Sequence, residues 1–256
     1  MTDMNFEQLA REWLPPKLAW RVSRKARERR ELQTFRSFYQ EFLRDGDLCF
    51  DVGANLGNRT RAFRAIGCKV VAVEPQSACF DRLSREFGAD DRVVLERLAL
   101  GREPGSAEMQ VASNHVLSSL SDTFVKRTTE SGRFASARWN RVEKVEISTL
   151  DHLIERHGTP AFIKIDVEGF ESEVIAGLTH PVNALSIEWV PEFPENAEAC
   201  VRHLEQLGSY EFNISWGESM SFSKPDWRTP ASMLRVIDEF RGESQLFGDI
   251  YARLKP

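Results

Sequence analysis

Two acidic residues that each end an apolar run are the first in the chain whose spacing indicates chemistry. Asp51 ends one run and is followed by Gly53 and Gly57, and Glu74 ends the next run, about 20 residues after Gly53. Glycine lets the backbone turn sharply without a Cβ beside a ligand, and the N–H groups at the start of the following helix point towards it. We expect Asp51 to accept a hydrogen bond from a cationic amine and Glu74 to hold a ribose diol. Together these groups predict S-adenosylmethionine as the ligand.

A second pair of carboxylates, Asp166 and Glu168, follows the apolar run 161–165. Two carboxylates so close repel each other, which raises the pKa of one of them and makes it a better base near neutral pH. We therefore expect both to be catalytic, although an aspartate here also suits the N-cap of the next helix, and that structural role stays open. His115 is a third candidate base, because the unperturbed pKa of histidine suits proton removal near neutral pH. A solvated loop histidine is the alternative.

Asp166, Glu168 and Glu188 offer oxygen ligands that suit magnesium, but no histidine spacing supports a transition metal, and we predict no metal site. Glu188 ends a predicted strand, where it either contacts substrate or forms a buried salt bridge. Strand alternation places the side chain of Lys164 on the face opposite its apolar neighbours. We expect its ammonium to pair with a carboxylate at the edge of the sheet.

Alternating strands and helices are needed to bring these residues together, and the chain has the patterns for them. A first strand is predicted from Leu48 to its end at Asp51, and further strands are predicted at 69–73, 92–98, 161–165, 183–190, 210–215 and 246–252. Helices are predicted at 58–66, 76–87, 195–207 and 230–240, with one more that Thr149 or Asp151 caps and that ends at 157, and another that begins at 171. Runs at 107–111 and 142–147 are predicted to pair as antiparallel strands. The β-α-β order predicts a parallel sheet covered by helices on both faces.

Two longer runs of residues resemble the sequence motifs of a known protein family. They are Asp51-Val52-Gly53-Ala54-Asn55-Leu56-Gly57 and the more distinctive Ile163-Lys164-Ile165-Asp166-Val167-Glu168-Gly169-Phe170-Glu171. Shorter similarities lie at Leu98–Gly101, Ser118–Leu120 and Ser148–Asp151. On these residues the chain, from roughly 47 to 190, resembles the FkbM-type family of S-adenosylmethionine-dependent methyltransferases.

This resemblance implies both a fold and an activity. The fold is an α/β, Rossmann-like class I methyltransferase fold, with N-terminal helices and a doubly wound, mostly parallel seven-stranded sheet whose last strand inserts antiparallel beside the sixth. The activity is methyl transfer to a hydroxyl oxygen of a sugar, glycan or polyketide-like natural product. The cofactor would contact Gly53, Asn55 and Gly57 in the turn and Ala99 beside the adenine. Ser119 would bind cofactor or acceptor, with turn chemistry as the alternative.

Composition limits the interpretation further. With 256 residues, 41% of them hydrophobic and 29% charged, the chain suits one large globular domain, and no apolar run approaches the roughly 20 residues that cross a bilayer. We predict a helical extension at 1–45 and one methyltransferase domain at 46–256, with an inserted substrate-binding region at about 102–147 that could instead be disordered. The N-terminus lacks the pattern of a signal peptide, which favours a cytoplasmic protein with reduced cysteines.

The same patterns favour a small-molecule or glycan acceptor as the partner. A net charge of -5 argues against nucleic acid, although Arg133, Arg138, Trp139 and Arg141 form a short basic and aromatic cluster. The basic stretch 21–30 faces an anionic substrate or a membrane, or is a solvated helix face. A homodimer is one option. Two other functions stay open: a nicotinamide-dependent oxidoreductase, disfavoured by the missing G-x-G-x-x-G, and a non-catalytic cofactor-binding module.

Overall fold

The computed structural model describes residues 16–112, 120, 139–243 and 246–255. The strands in these residues are β1 (Leu48–Val52), β2 (Lys69–Val73), β3 (Val93–Glu96), β4 (Ala99–Leu100), β5 (Gly105–Ala112), β6 (Trp139–Ser148), β7 (Phe162–Ile165), β8 (Ala184–Trp189), β9 (Tyr210–Trp216) and β10 (Gly248–Leu254). The helices are α1 (Pro16–Tyr39), α2 (Asn58–Ile66), α3 (Ser77–Phe87), α4 (Leu150–His157), α5 (Glu171–Ala176), α6 (Pro194–Leu207) and α7 (Pro230–Glu239).

The larger of two sheets has the strand order β3-β2-β1-β7-β8-β10-β9. Neighbouring strands run parallel from β3 to β8, and β10 runs antiparallel to both β8 and β9. The predicted seven-stranded, mostly parallel sheet with its antiparallel last strand is confirmed. The strand order reverses between β1 and β7, and the carboxyl ends of strands at such a point are where open α/β sheets bind ligands.

Alternation along the strands divides the core into two layers. Phe50 on β1 and Ile163 on β7 belong to the layer that packs against α4, α5, α6 and α7. Cys49 and Phe162 precede them by one residue and belong to the opposite layer, which contains buried side chains of α1, α2 and α3. Because successive side chains of a strand point to opposite faces, both faces of the sheet are buried, as a doubly wound fold requires.

The smaller sheet has the strand order β4-β6-β5. Strands β5 and β6 pair antiparallel, which confirms the predicted pairing of 107–111 with 142–147 and lengthens both strands. The predicted strand at 92–98 is wrong at its end, because β3 stops at Glu96 and the next two-residue strand, β4, pairs with β6 instead. The chain therefore changes sheets just after β3.

Two helix ends follow from local hydrogen bonding. The Thr149 hydroxyl oxygen accepts the N–H of His152 at 3.2 Å, so Thr149 is the N-cap of α4, whereas the Asp151 carboxylate accepts the hydroxyl and N–H of Thr179. Gly67 ends α2 with a left-handed backbone, φ 109°, as expected for a glycine C-cap. No helix in the described part of the chain is both long and apolar enough to cross a bilayer.

Several sequence-based expectations concern residues outside the described ranges. They include the helix expected before residue 16, the base His115, and Ser118 and Ser119. Most of the inserted region predicted at about 102–147 lies there too.

Candidate active site

The loops after β1 and β7 touch at the edge of the larger sheet. Gly53 has a left-handed backbone, φ 81°, and a Cβ built on it would lie 1.8 Å from the carbonyl oxygen of Asp166. Only glycine fits this contact, which explains the glycine two residues after Asp51. The Asp166 N–H also donates to the Val52 carbonyl at 2.9 Å. The two loops therefore meet backbone to backbone.

A cavity beside this junction, the first cavity, encloses about 670 Å³ including its open mouth. Six of the predicted site residues line it: Gly53, Asn55, Glu74, Ala99, Asp166 and Glu168. Its other walls are mainly apolar and include Met109 of β5 and Phe170 after β7. Residues far apart in the sequence thus form one site.

Glu74 at the end of β2 both supports the first cavity and lines it. Its two carboxylate oxygens accept the N–H groups of Asn55 and Gln76, each at 2.8 Å. The side chain is 3% exposed, and burial raises the pKa of Glu74 to about 7 although the two N–H groups act to lower it. The carboxylate has further lone pairs, so it can accept ligand hydroxyls as well.

Glu143 of β6 connects the smaller sheet to the start of α3. Its Oε2 accepts the N–H of Ser77 at 3.0 Å and the hydroxyl of Ser77 at 2.6 Å. Burial acts to raise the pKa of Glu143, but these bonds and the charge of Arg141 hold that pKa below its usual range. Met109 lies opposite Glu143 in the strand register, so this connection fixes one wall of the first cavity. The sequence offers no local signal for a pair 66 residues apart.

The loop that follows β7 is held by Glu171, the first residue of α5. Glu168 and Gly169 in this loop have left-handed backbones, with φ 54° and 88°. Glu171 Oε1 accepts the N–H groups of Val167 and Gly169 at 3.1 and 3.2 Å, and the side-chain amide of Asn196 on α6 donates to its Oε2. Glu171 is 1% exposed, and burial raises its pKa. The sequence indicated Glu171 as a helix start and as the last residue of the motif at 163–171, but not as the acceptor that holds this loop.

Lys164 is buried on β7 between two carboxylates. Its Nζ lies 2.8 Å from Asp249 Oδ1 on β10 and 3.2 Å from Asp166 Oδ2, which confirms the predicted pairing at the sheet edge. Burial acts to lower the pKa of Lys164, but the charges of Asp166 and Asp249 outweigh it and raise that pKa well above its usual value. Lys164 therefore stays charged between the two carboxylates.

Asp166, Glu168 and Glu188 bring three carboxylates together, with one oxygen from each lying within 4.8 Å of the others. Burial raises the pKa of Glu188 well above its usual value, and the charges of Asp166 and Glu168 raise it further. Proton uptake by Glu188 relieves the repulsion in this cluster without a cation. The cluster has the oxygen ligands that a divalent cation would use, and the absence of a metal site stays a prediction.

A second cavity lies next to the first one and shares Gly53, Asn55 and Asp166 with it. Asp51 lines only this second cavity, where its buried carboxylate accepts the Thr60 hydroxyl at 2.5 Å. Burial raises the pKa of Asp51, while that hydroxyl acts to lower it. The predicted carboxylate for an amine thus lies beside the predicted carboxylates for catalysis.

Arg59 and Gly57 complete the surroundings of the β1 loop. Arg59, in the first turn of α2, lines the second cavity and was not recognised in the sequence, where it stands among many arginines. Gly57 lines neither cavity in the described structure: a Cβ there would lie 2.7 Å from Phe87 and 2.9 Å from Leu83 of α3. Its role is to let α2 pack closely on α3.

Comparison with known proteins assigns the family. A model of the FkbM methyltransferase domain matches residues 51–213, which include Asp51, Glu74 and the loop after β7. The chain belongs to the FkbM methyltransferase family. It is an S-adenosylmethionine-dependent methyltransferase, and S-adenosylmethionine is its cofactor.

Similarity of this FkbM methyltransferase to solved structures is remote. The precorrin-6y C5,15-methyltransferase of Geobacter metallireducens GS-15 is 11% identical, with 89% of this chain and 86% of that chain covered and a TM-score of 0.44. Fibrillarin of Aeropyrum pernix with natively bound S-adenosyl-L-methionine is 11% identical, with 82% and 67% covered and a TM-score of 0.41. An rRNA methylase of Streptococcus thermophilus is 12% identical, with 86% and 94% covered and a TM-score of 0.40. The comparison with curated proteins gave no match.

Proposed function

We propose that this FkbM methyltransferase transfers the methyl group to a hydroxyl oxygen of a sugar, glycan or polyketide-like natural product. The observation that carries the proposal is the cluster of Asp166, Glu168 and Glu188 beside the two cavities. A hydroxyl nucleophile must lose a proton, and a carboxylate within reach of that hydroxyl can accept it. The resemblance in the sequence supports the same class of acceptor.

We place the two ends of S-adenosylmethionine in the two cavities. In this proposal the apolar walls around Ala99 take the adenine, and Glu74, whose buried carboxylate lines the first cavity, takes the ribose hydroxyls. Asp51 in the second cavity takes the ammonium of the amino-acid end. Gly53 and Asn55, which line both cavities, form the wall along which the cofactor passes from one to the other.

Side chains of the β7 loop then orient and deprotonate the acceptor. When bound, S-adenosylmethionine supplies a methyl group activated by its sulfonium charge. Asp166, which is paired with Lys164, holds the acceptor hydroxyl, and Glu168 receives the proton. Alignment of the hydroxyl with the methyl group supplies a large share of the rate, which the fixed backbone of this loop favours. His115 and Ser119 stay proposals for the same site.

A transfer assay with isotopically labelled S-adenosylmethionine and a panel of sugars, glycans and hydroxylated polyketides tests the proposal. We expect label in an ether product, with one S-adenosylhomocysteine formed per transfer and no loss of rate in EDTA. Asp166→Asn should lower kcat by about 100-fold and leave S-adenosylhomocysteine affinity nearly unchanged. Asp238→Asn on the exposed face of α7 is the matched control. Transfer to amine or carbon acceptors alone would contradict the proposal.

Binding measurements separate the other two functions. Calorimetric binding of NADH instead of S-adenosylhomocysteine would favour a nicotinamide-dependent oxidoreductase. Cofactor binding with a cellular function untouched by Asp166→Ala and Glu168→Ala would favour a non-catalytic module. A cytoplasmic location, a homodimer and the lack of a nucleic-acid partner stay predictions for fractionation, light scattering and mobility-shift assays.

A further inference from the structure

Arg59 is a nearly buried cation whose hydrogen-bonding capacity is only partly used. Its side chain is 13% exposed, and its guanidinium lies over the Phe35 ring of α1 at 3.9 Å from the ring centroid. Nη2 donates to Glu218 Oε2 at 2.7 Å, but the buried Nε–H has no acceptor in the described structure. A guanidinium binds a carboxylate best through two parallel N–H groups. The Nε–Nη2 edge of Arg59 is therefore half filled.

Glu218, the present partner of Arg59, is weakly held. It follows β9, its side chain is 60% exposed, and its described contact with Arg59 uses one nitrogen of the guanidinium. Ion pairs with so exposed a member contribute little to stability, because solvent screens the charge and the side chain loses freedom. A second carboxylate could displace Glu218 at small cost.

The second cavity offers such a carboxylate a place between cations. Lys164, the other described cation that lines this cavity, is already paired with Asp166 and Asp249. Of these two described cations, Arg59 is therefore the one whose N–H donors are not all used. It also lies in the first turn of α2, where the positive end of the helix dipole favours an anion.

We propose that Arg59 binds the α-carboxylate of the amino-acid end of S-adenosylmethionine through its Nε and Nη2, and that this carboxylate displaces Glu218. The inference rests on the proposed placement of the cofactor across both cavities. Asp51 lines the same cavity and suits the ammonium of the amino-acid end. The contact between Arg59 and the carboxylate would be the second charged contact to this end. One amino acid would then be recognised through both of its charged groups.

Two ligands that differ only in the amino-acid end test this inference by calorimetry. S-adenosylhomocysteine carries the carboxylate, and 5′-methylthioadenosine lacks the whole amino-acid end. We expect Arg59→Lys to weaken S-adenosylhomocysteine binding by about tenfold, since a single ammonium cannot make the paired contact, and to change 5′-methylthioadenosine binding by less than about twofold. Arg61→Lys is the matched control, because Arg61 lies on the same helix as Arg59 and its side chain pairs with Glu86 of α3.

Glu218→Gln, at an exposed position, tests the same inference, because we expect it to raise ligand affinity where Arg59→Lys lowers it. Removing the competing charge should strengthen S-adenosylhomocysteine binding by about threefold and leave 5′-methylthioadenosine unchanged. Thermal unfolding of each variant checks that the fold is kept. Equal losses for both ligands in Arg59→Lys, or no gain in Glu218→Gln, would overturn the role of Arg59. Failure of the wild-type protein to bind either ligand would instead overturn the cofactor placement itself.

Discussion

Two buried carboxylates, Glu74 and Glu171, hold the two loops that meet at the sheet edge, and they do so in different ways. Glu74 accepts one backbone N–H on each oxygen and still lines the first cavity. Glu171 accepts two N–H groups on one oxygen and the Asn196 amide on the other, and lies outside both cavities. Burial raises both pKa values. The difference is whether the carboxylate also faces a cavity, so we propose Glu74 as a binding residue and Glu171 as a positioning residue.

Removal of Glu171 should give the largest change. Glu171→Ala leaves the N–H groups of Val167 and Gly169 and the Asn196 amide without their acceptor, so we expect the free energy of unfolding to fall by about 2 to 4 kcal/mol. Urea unfolding measures this change. The control is Glu173→Ala on the same helix as Glu171, where the partly exposed Glu173 side chain pairs with Arg102. If Glu171→Ala lowers the free energy of unfolding no more than the control does, the loop after β7 does not depend on Glu171 for its conformation.

Glu74→Gln should act mainly on ligand binding. A glutamine oxygen can accept one of the two N–H groups but cannot also match an ionised acceptor for a ribose diol. We expect S-adenosylhomocysteine affinity to fall by about tenfold or more, or at least about 1.4 kcal/mol. Calorimetry above pH 7.5 measures it, with Glu96→Gln at the end of β3 as control. Unchanged affinity would mean that Glu74, like Glu171, positions the loop and does not bind the ligand.

The pH dependence of binding should distinguish the two carboxylates as well. The pKa of Glu74 is about 7, so in the ligand-free protein the Glu74 side chain is largely protonated at low pH. A ribose diol needs the ionised form of this side chain. We expect affinity for S-adenosylhomocysteine to fall roughly tenfold from about pH 8 to about pH 6 in the wild type, and to be flat in Glu74→Gln. An identical slope in both proteins would assign the effect to another group.

The stability of the protein should depend on Glu74 ionisation in the opposite sense. The pKa of Glu74 is raised from 4.5 to about 7, so the folded state binds more protons than the unfolded state between these values. The contribution of Glu74 to the free energy of unfolding therefore decreases as pH rises through that window. Urea unfolding at several pH values, compared with Glu74→Gln, measures this contribution, and an increase with pH specific to Glu74 would contradict it.

A smaller loss of stability than for Glu171 is expected from Asn196, whose side-chain amide donates to Glu171. Asn196→Ala removes that donor and the acceptor of the Ser172 N–H, so the free energy of unfolding should fall by about 1 to 2 kcal/mol while S-adenosylhomocysteine affinity stays within about twofold. Glu205→Ala on the exposed face of α6 controls for the helix. A large loss of affinity would show that Glu171 acts on the ligand too.

Local signals explain why some elements could be predicted closely. The bounds of α2 and β2 agree with the prediction because Gly67 ends the helix and Glu74 ends the strand. The β4 strand was missed because two residues carry no periodicity and their partner, Ile147–Ser148, is distant in the chain. The seven-stranded order followed from the resemblance, and periodicity alone could not have placed β10 between β8 and β9.

The residues of the candidate site also divide into those that the sequence could predict and those that it could not. Glu74, Asp166 and Glu168 follow strands, so parallel pairing brings them to one edge, and this could be predicted. The pairing of Arg59 with Glu218 spans 159 residues and depends on the turn after β9, for which the sequence has no signal. The function of Glu171 depends on left-handed backbones at two preceding residues, which spacing does not reveal.

The backbone contact between Gly53 and Asp166 also determines how the site can adapt. Two loops with no side chain between them cannot slide independently, so the floor of the first cavity should show slow amide exchange and change little from one ligand state to another. The smaller sheet instead contributes to the cavity wall through side chains such as Met109, which a substitution can change without moving the backbone. A change of acceptor during evolution would therefore alter β5 and β6 and leave the floor as it is.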